Sequence, residues 1–145
     1  MTDVSAATHS VAKLGPFLGA ELLGVDLSCP LNAATLETIR AAFRDNPVLV
    51  MRGQSMTPEN LIAIGDALGF IEPHSILHYR HPVHHQLSYI TNVKPDGTID
   101  EFGQSKRAVD WHIDGTFKVN PDCITFLYSI AAPSVSVATP PDTDT

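Results

Sequence analysis

Two side chains in this sequence have the types and the spacing needed to bind a metal ion together. His112 and Asp114 are separated by one residue. In an extended strand, alternate side chains point to the same face, so an imidazole and a carboxylate at this spacing can converge on one ion. Such a pair is two-thirds of the 2-His-1-carboxylate set that binds Fe(II) in non-haem oxygenases. The alternative is a pair of ordinary polar strand residues, and no convincing third ligand follows in the sequence.

The length of 145 residues indicates one globular domain at most, and it is enough for a hydrophobic core. The net charge of −7, from 9 basic and 16 acidic residues, argues against nucleic acid or an anionic membrane surface as the main partner. Cys29 and Cys123 lie far apart and suggest no disulfide framework. The polar N-terminus is unlike a signal peptide, and no apolar run reaches transmembrane length. We therefore predict a cytoplasmic protein.

Two helices are predicted ahead of the metal pair. The first covers residues 32–46, with Asn32 as its N-cap and an apolar face at helical spacing. The second begins after Thr57, with Pro58 at its first position, and ends at Gly69. The apolar residues of the second helix, Leu61, Ile64 and Leu68, are expected to pack into a core rather than to form a partner groove.

Short strands are predicted around these helices, which gives a mixed α+β layout. Residues 1–10 are predicted to be a loose tail. His112 and Asp114 are predicted to lie on a strand and the turn that follows it, over residues 109–117, after a polar loop over residues 94–107. The remaining strand predictions are the glycine-punctuated segment 11–31, then 48–51, 87–92 and the strongly apolar 123–131.

Several motifs in order resemble the taurine dioxygenase (TauD/TfdA) family. They are LGPFLGA over residues 14–20, GVDL over 24–27, VLVMRGQ over 48–54 and WHIDGTF over 111–117. A bare His-x-Asp is a weak signal, but WHIDGTF behind the other motifs is a specific one. The resemblance covers roughly residues 11–135, which would correspond to the N-terminal part of a family member.

The resemblance implies a fold and a reaction. The fold would be part of a double-stranded β-helix, a jelly roll with flanking helices, whose C-terminal half is missing from this chain. The family uses Fe(II), the co-substrate 2-oxoglutarate and O2 to hydroxylate a small organic substrate, with succinate and CO2 as co-products. His112 and Asp114 would be metal ligands, and no further catalytic or cofactor-binding residue can be assigned. A homo-oligomer is possible, since family members often form one.

The same resemblance suggests two substrate contacts. His74 stands where the family places a histidine that meets the anionic group of the substrate, and Phe117 matches an aromatic residue that lines the pocket. Leu77 and Ala108 depart from the tyrosine and the polar amide of taurine dioxygenase. Taurine is therefore disfavoured against another sulfonate, a sulfate ester or a carboxylate. The bland alternative for His74 is a satisfied surface histidine. The histidines at positions 74, 78, 81, 84 and 85 could be read as a separate metal site, but they have no cysteine or carboxylate at ligand spacing and include Pro82 among them, so a solvated loop is favoured.

The last ten residues, SVATPPDTDT over 136–145, lack any periodicity and are predicted to be disordered. Family members usually read Gly-Gly-Asp-Thr here, and a shifted reading frame through plausible codons for residues 136–140 would restore it. The chain is therefore interpreted as a truncated or frameshifted dioxygenase with marginal stability and little turnover. The alternatives are a non-catalytic remnant or metal-binding module, and a dimer in which a partner completes the sheet.

Overall fold

The computed structural model of the chain describes residues 9–74, 77–94, 96–99 and 111–131. The chain divides into two compact units. The first unit comprises residues 1–107 and contains every helix and strand of the described residues. The second unit comprises residues 108–145 and contains the candidate metal pair. Within the described residues, no helix is both long enough and apolar enough to cross a membrane.

Helix α1, Ala33–Asp45, confirms the first predicted helix. The Asn32 side chain accepts a hydrogen bond from the Thr35 backbone N–H at 2.8 Å, which satisfies one of the unpaired donors of the first turn. The predicted apolar face is turned inward, with Ile39 only 3% exposed. At the other end, the buried Asn46 side chain donates to the Ala42 carbonyl at 2.9 Å and ends the helix.

Helix α2, Pro58–Leu68, confirms the second prediction and its cap. The Thr57 hydroxyl accepts from the Asn60 backbone N–H at 3.3 Å, and the Asn60 side chain accepts from the Thr57 N–H at 2.9 Å. This reciprocal arrangement is a capping box, with Asn60 in the role usually taken by Glu or Gln. Pro58 fits the first turn because its missing N–H would have had no helical partner there.

A small three-stranded sheet packs with these helices in the first unit. Strand β1, Ser10–Lys13, pairs antiparallel with β2, Ala20–Leu23, and β2 pairs in parallel with β3, Leu49–Val50. Gly19 has a φ of 88° in the turn that brings β2 back beside β1. The buried apolar core of the unit consists of Ala20, Leu22, Val25, Leu27, Ile39, Ala42 and Ile64.

The later strand predictions are wrong for the described residues. The segment 87–92 is reduced to one isolated bridge between Ser88 and Arg80. The segments 111–117 and 123–131 contain no strand. A strand needs a neighbour to pair with its backbone groups, and the apolar pattern that predicted these strands does not supply one. The described residues thus form a small α+β arrangement of a three-stranded sheet and two helices.

Several large apolar side chains of the second unit are exposed to solvent, which is consistent with the absence of strand pairing in its described residues. Those exposed by more than 70% are Trp111, Ile113, Phe117, Val119, Leu127 and Ile130. The domain predictions at the chain ends lie mostly outside the described residues. Ser10, the last residue of the predicted tail, opens β1, whereas residues 1–8 and 136–145 are not described.

Candidate functional site

The candidate metal pair lies at the start of a turn, with His112 just before it and Asp114 as its first residue, instead of on the predicted strand. Residues 111–113 have no regular structure, and residues 114–117 form the turn. The Lys118 backbone N–H donates to the Gly115 carbonyl at 3.0 Å and closes it. Gly115 has a φ of 68°, a left-handed conformation that glycine adopts without a Cβ penalty. The backbone of this turn, rather than that of a pleated strand, therefore sets the direction of the neighbouring Asp114 side chain.

The pair converges on this turn. The Nε2 atom of His112 lies 3.4 Å from Oδ1 of Asp114. Their side chains are 50% and 54% exposed, so an ion could reach them from solvent. Two adjacent ligands at right angles on one ion, with bonds of about 2.1 Å, would lie roughly 3 Å apart. The nitrogen and oxygen therefore fit as two neighbouring ligands of a transition-metal ion with a small adjustment.

A third ligand is not found within the part of the chain that the structure describes. No group of three His, Cys, Asp or Glu side chains comes together there. The loop histidines also form no such group: Nδ1 of His81 accepts from the backbone N–H groups of Val83 and His84. Nε2 of His84 lies 3.0 Å from Oε1 of Glu59. In the described residues these histidines are therefore engaged in contacts of the loop itself and with helix α2.

The Asp114 carboxylate has a second partner. The Thr125 hydroxyl donates to Oδ2 of Asp114 at 3.3 Å. The other oxygen, Oδ1, is the one that faces His112. The two oxygens of the carboxylate are therefore differentiated, one toward the threonine and one toward the imidazole.

Asp122 supports the turn from the side of Gly115. Its Oδ1 atom accepts from Nζ of Lys118 at 2.7 Å. A Cβ atom added to Gly115 would lie 2.7 Å from Cγ of Asp122, closer than a real Cβ comes to another heavy atom. Glycine is thus favoured here by the backbone conformation, and a larger residue would also displace the Asp122 carboxylate.

The two predicted substrate contacts lie in different units. His74 is half-buried in the first unit, where its backbone N–H donates to the His85 carbonyl at 2.9 Å. Its own carbonyl accepts from Nε of Arg80 at 2.6 Å. Phe117 is 79% exposed at the end of the turn in the second unit. The roles of both residues in substrate binding stay predictions.

Sequence reasoning missed Thr125, Asp122 and Lys118. The opposite charges of Lys118 and Asp122 at a spacing of four residues are a visible signal, but that spacing is usually read on helices. Thr125 is eleven residues from Asp114 and gives no signal of its own. Its contact depends on the path of the chain after the turn, which no local pattern encodes.

Comparisons with known proteins agree with the motif-based resemblance. The family described as "Taurine catabolism dioxygenase TauD, TfdA family" matches residues 10–137. An alpha-ketoglutarate-dependent sulfate ester dioxygenase of Pseudomonas putida is 35% identical over 118 residues, which cover 81% of this chain and 36% of that protein. The pentalenolactone F synthase of Streptomyces arenae is 29% identical over 121 residues, which cover 82% of this chain and 40% of that protein.

A solved structure gives a similar result. A Burkholderia xenovorans protein assigned as an alpha-ketoglutarate-dependent taurine dioxygenase is 30% identical, with a TM-score of 0.50. The match covers 54% of this chain and 28% of that one. The chain thus spans 36 to 40% of the length of the two relatives named above.

Proposed function

This chain belongs to the TauD, TfdA family of taurine catabolism dioxygenases, and we propose that it forms part of an Fe(II)/2-oxoglutarate-dependent dioxygenase. The reaction would be hydroxylation of a small anionic organic substrate. The single observation that carries the proposal is the His112–Asp114 pair at 3.4 Å, within the WHIDGTF motif. The family match and the alpha-ketoglutarate-dependent relative support the same chemistry.

In this proposal His112 and Asp114 hold two neighbouring positions of the metal. His112 binds as a neutral imidazole, and Nε2 is the nitrogen that already faces the carboxylate. When bound, Fe(II), 2-oxoglutarate and O2 supply the oxidising chemistry, which converts 2-oxoglutarate into succinate and CO2 as the substrate gains a hydroxyl group. The protein side chains fix the geometry, and the third ligand is assigned to sequence beyond the described residues.

The complete fold is proposed to be the jelly roll of the family. The exposed apolar side chains of the second unit would be buried when further strands pair with this segment. Oligomerisation of the complete protein is a further proposal of the same kind, based on the family alone.

The substrate is proposed to be a sulfate ester, sulfonate or carboxylate. The dioxygenase that is 35% identical to this chain acts on sulfate esters, which makes a sulfate ester the first candidate. His74 would meet the anionic group, with its backbone held by the His85 carbonyl and by the Arg80 guanidinium. Phe117 would line the pocket. Leu77 lacks the hydroxyl of the tyrosine expected for taurine, so taurine is the weaker candidate.

A second candidate function is a metal-binding module without turnover. It rests on the same pair, His112 and Asp114, whose side chains lie 3.4 Å apart. This candidate shares the pair with the dioxygenase proposal. The two differ in what happens after the metal has bound.

The test is succinate formation by the purified chain with Fe(II), 2-oxoglutarate and O2. An alkyl sulfate, an aryloxyalkanoate and taurine are compared as substrates. We expect a slow rate that is raised most by the alkyl sulfate, is lost in His112→Ala and is retained in His85→Ala. His85 is exposed and lies outside the pair, so it is a matched control.

The other results of this assay separate the two candidates. Metal binding that depends on His112, with no succinate from any of the three substrates, would support the metal-binding module. Equal behaviour of the wild-type chain and His112→Ala in both metal binding and succinate formation would refute the dioxygenase proposal.

A further inference from the structure

We propose that Thr125 is a positioning residue that orients the Asp114 carboxylate toward the metal. The inference rests on the proposed function, because it assumes that Asp114 is a ligand. It adds a residue that acts on the metal through Asp114 rather than by touching the ion. Carboxylate ligands are commonly hydrogen-bonded by such outer partners, which fix their orientation.

The contacts of the two carboxylate oxygens carry the inference. Oδ2 of Asp114 accepts from the Thr125 hydroxyl at 3.3 Å, and Oδ1 lies 3.4 Å from Nε2 of His112. A carboxylate is planar and rigid, so a partner on one oxygen limits the directions that the other can take. Without the hydroxyl, Asp114 could rotate about its side-chain bonds and present either oxygen to solvent.

The position of Thr125 depends on anchors earlier in its own segment. Asp122 accepts from Nζ of Lys118 at 2.7 Å and packs against Gly115. These two contacts hold residue 122 on the turn that carries Asp114. Thr125 follows three residues later, so its hydroxyl belongs to a segment that Asp122 already fixes to the turn.

The length of the Thr125 bond sets the expected size of the effect. At 3.3 Å it is longer than the usual 2.7–2.8 Å for a hydroxyl donor, and both residues are exposed. Loss of an outer partner of a metal ligand commonly weakens metal affinity by about 10–100-fold. We therefore expect the low end of that range, about tenfold.

Two measurements on the full 145-residue chain test the inference. The first needs no metal: NMR three-bond couplings report the χ1 rotamer populations of Asp114. We expect one dominant rotamer in the wild-type chain and in Thr125→Ser, which keeps the hydroxyl, and rotamer averaging in Thr125→Val. The second is titration with Co(II) as the probe, in which Thr125→Val should bind about tenfold more weakly and Thr125→Ser within about threefold of wild type.

Thr98→Val is the matched control. The Thr98 hydroxyl also donates to an aspartate, Oδ1 of Asp96 at 2.7 Å, but in the first unit. This variant should change neither the Asp114 rotamer nor the affinity for Co(II). This control distinguishes a general effect of replacing threonine by valine from the specific effect of losing the Thr125 hydroxyl.

Failure of the inference can be distinguished from failure of the proposed function. If His112→Ala abolishes Co(II) binding and Thr125→Val binds like wild type with an unchanged Asp114 rotamer, the inference is wrong and the proposed metal pair stands. If Co(II) binding is the same in wild type and His112→Ala, the metal pair is wrong and the inference falls with it. A Thr125→Ser chain as weak as Thr125→Val would also overturn the inference, because the hydroxyl would not be the cause.

Discussion

The Gly115→Ala substitution should weaken metal binding by disturbing the turn that carries the metal pair. Gly115 lies between Asp114 and the residues that close the turn, and its φ is 68°. The added methyl group would collide with Asp122, whose Cγ would be 2.7 Å from the new Cβ atom. Both the backbone and the Asp122 side chain would have to move.

The magnitude has two parts. A non-glycine residue in the left-handed conformation costs about 1–2 kcal/mol. Moving Asp122 also breaks its ion pair with Lys118, a contact of 2.7 Å between partly exposed side chains, which is worth about 0.5 kcal/mol. In the Gly115→Ala chain, binding of the metal with the turn in its wild-type conformation would cost this total of about 1.5–2.5 kcal/mol. It corresponds to roughly a 10- to 70-fold loss of affinity, since 1.4 kcal/mol is a factor of ten.

The assay is Co(II) titration of the chain, and Gly53→Ala is the control. Gly53 has the same φ of 68°, but a Cβ atom added there has nothing within 4 Å. Gly53→Ala should therefore carry only the backbone cost, about 1–2 kcal/mol in the stability of the first unit, and should leave Co(II) affinity unchanged. Gly115→Ala combined with Asp122→Ala removes the collision with the carboxylate but also an anchor of the segment that carries Thr125, so it should recover only part of the lost affinity.

Wild-type affinity in Gly115→Ala would refute this reasoning, since it would mean that the turn does not set the positions of the ligands. Equal affinities for Gly115→Ala alone and in combination with Asp122→Ala would show that the backbone conformation accounts for the whole effect and that the packing of Asp122 contributes nothing.

Two further predictions concern the first unit. The Gln54 side chain accepts from the Leu27 N–H at 2.8 Å and donates to the Val25 and Arg52 carbonyls at 2.9 and 3.0 Å, so Gln54→Ala should lower the free energy of unfolding by about 1–3 kcal/mol. Urea denaturation measures it, with Gln86→Ala, a change at a partly buried glutamine of the same unit, as the control. Equal midpoints for Gln54→Ala and wild type would contradict it. Hydrogen bonds from the Ser28 hydroxyl, and then from the Ser28 backbone N–H, lower the pKa of Asp26 in the folded chain below its usual value of 3.8. The ionised Asp26 carboxylate therefore stabilises the fold above pH 3.8, and this stabilisation is lost as the pH falls through the lower folded-state pKa. Asp26→Asn should therefore be less acid-sensitive than wild type below about pH 4, and parallel stability profiles from pH 2 to 6 would contradict this.

The helices of the first unit could be predicted from the sequence because their signals are local. Asn32 and Thr57 cap the two helices through bonds that span three residues, and Pro58 fits the first helical turn. These interactions are encoded within a few positions of each helix start. No knowledge of the rest of the chain is needed to anticipate them.

The strands after residue 87 could not be predicted in the same way. Apolar composition over 123–131 is compatible with a strand, but pairing requires a second segment at the right distance. The convergence of His112 and Asp114 agrees with the sequence-based prediction, although the reason given for it was wrong. The spacing suggested alternate residues of a strand, whereas in the structure His112 lies in a segment without regular structure and Asp114 opens the turn that contains Gly115.

The central claim is that His112 and Asp114 bind one metal ion, and Co(II) titration of single variants tests it most directly. We predict binding of one ion by the wild-type chain, with at least tenfold weaker binding in His112→Ala and in Asp114→Ala. His85→Ala and Asp66→Ala, two exposed positions of the first unit, should bind like wild type. Unchanged affinity in both His112→Ala and Asp114→Ala, or an equal loss in the two control variants, would contradict the claim.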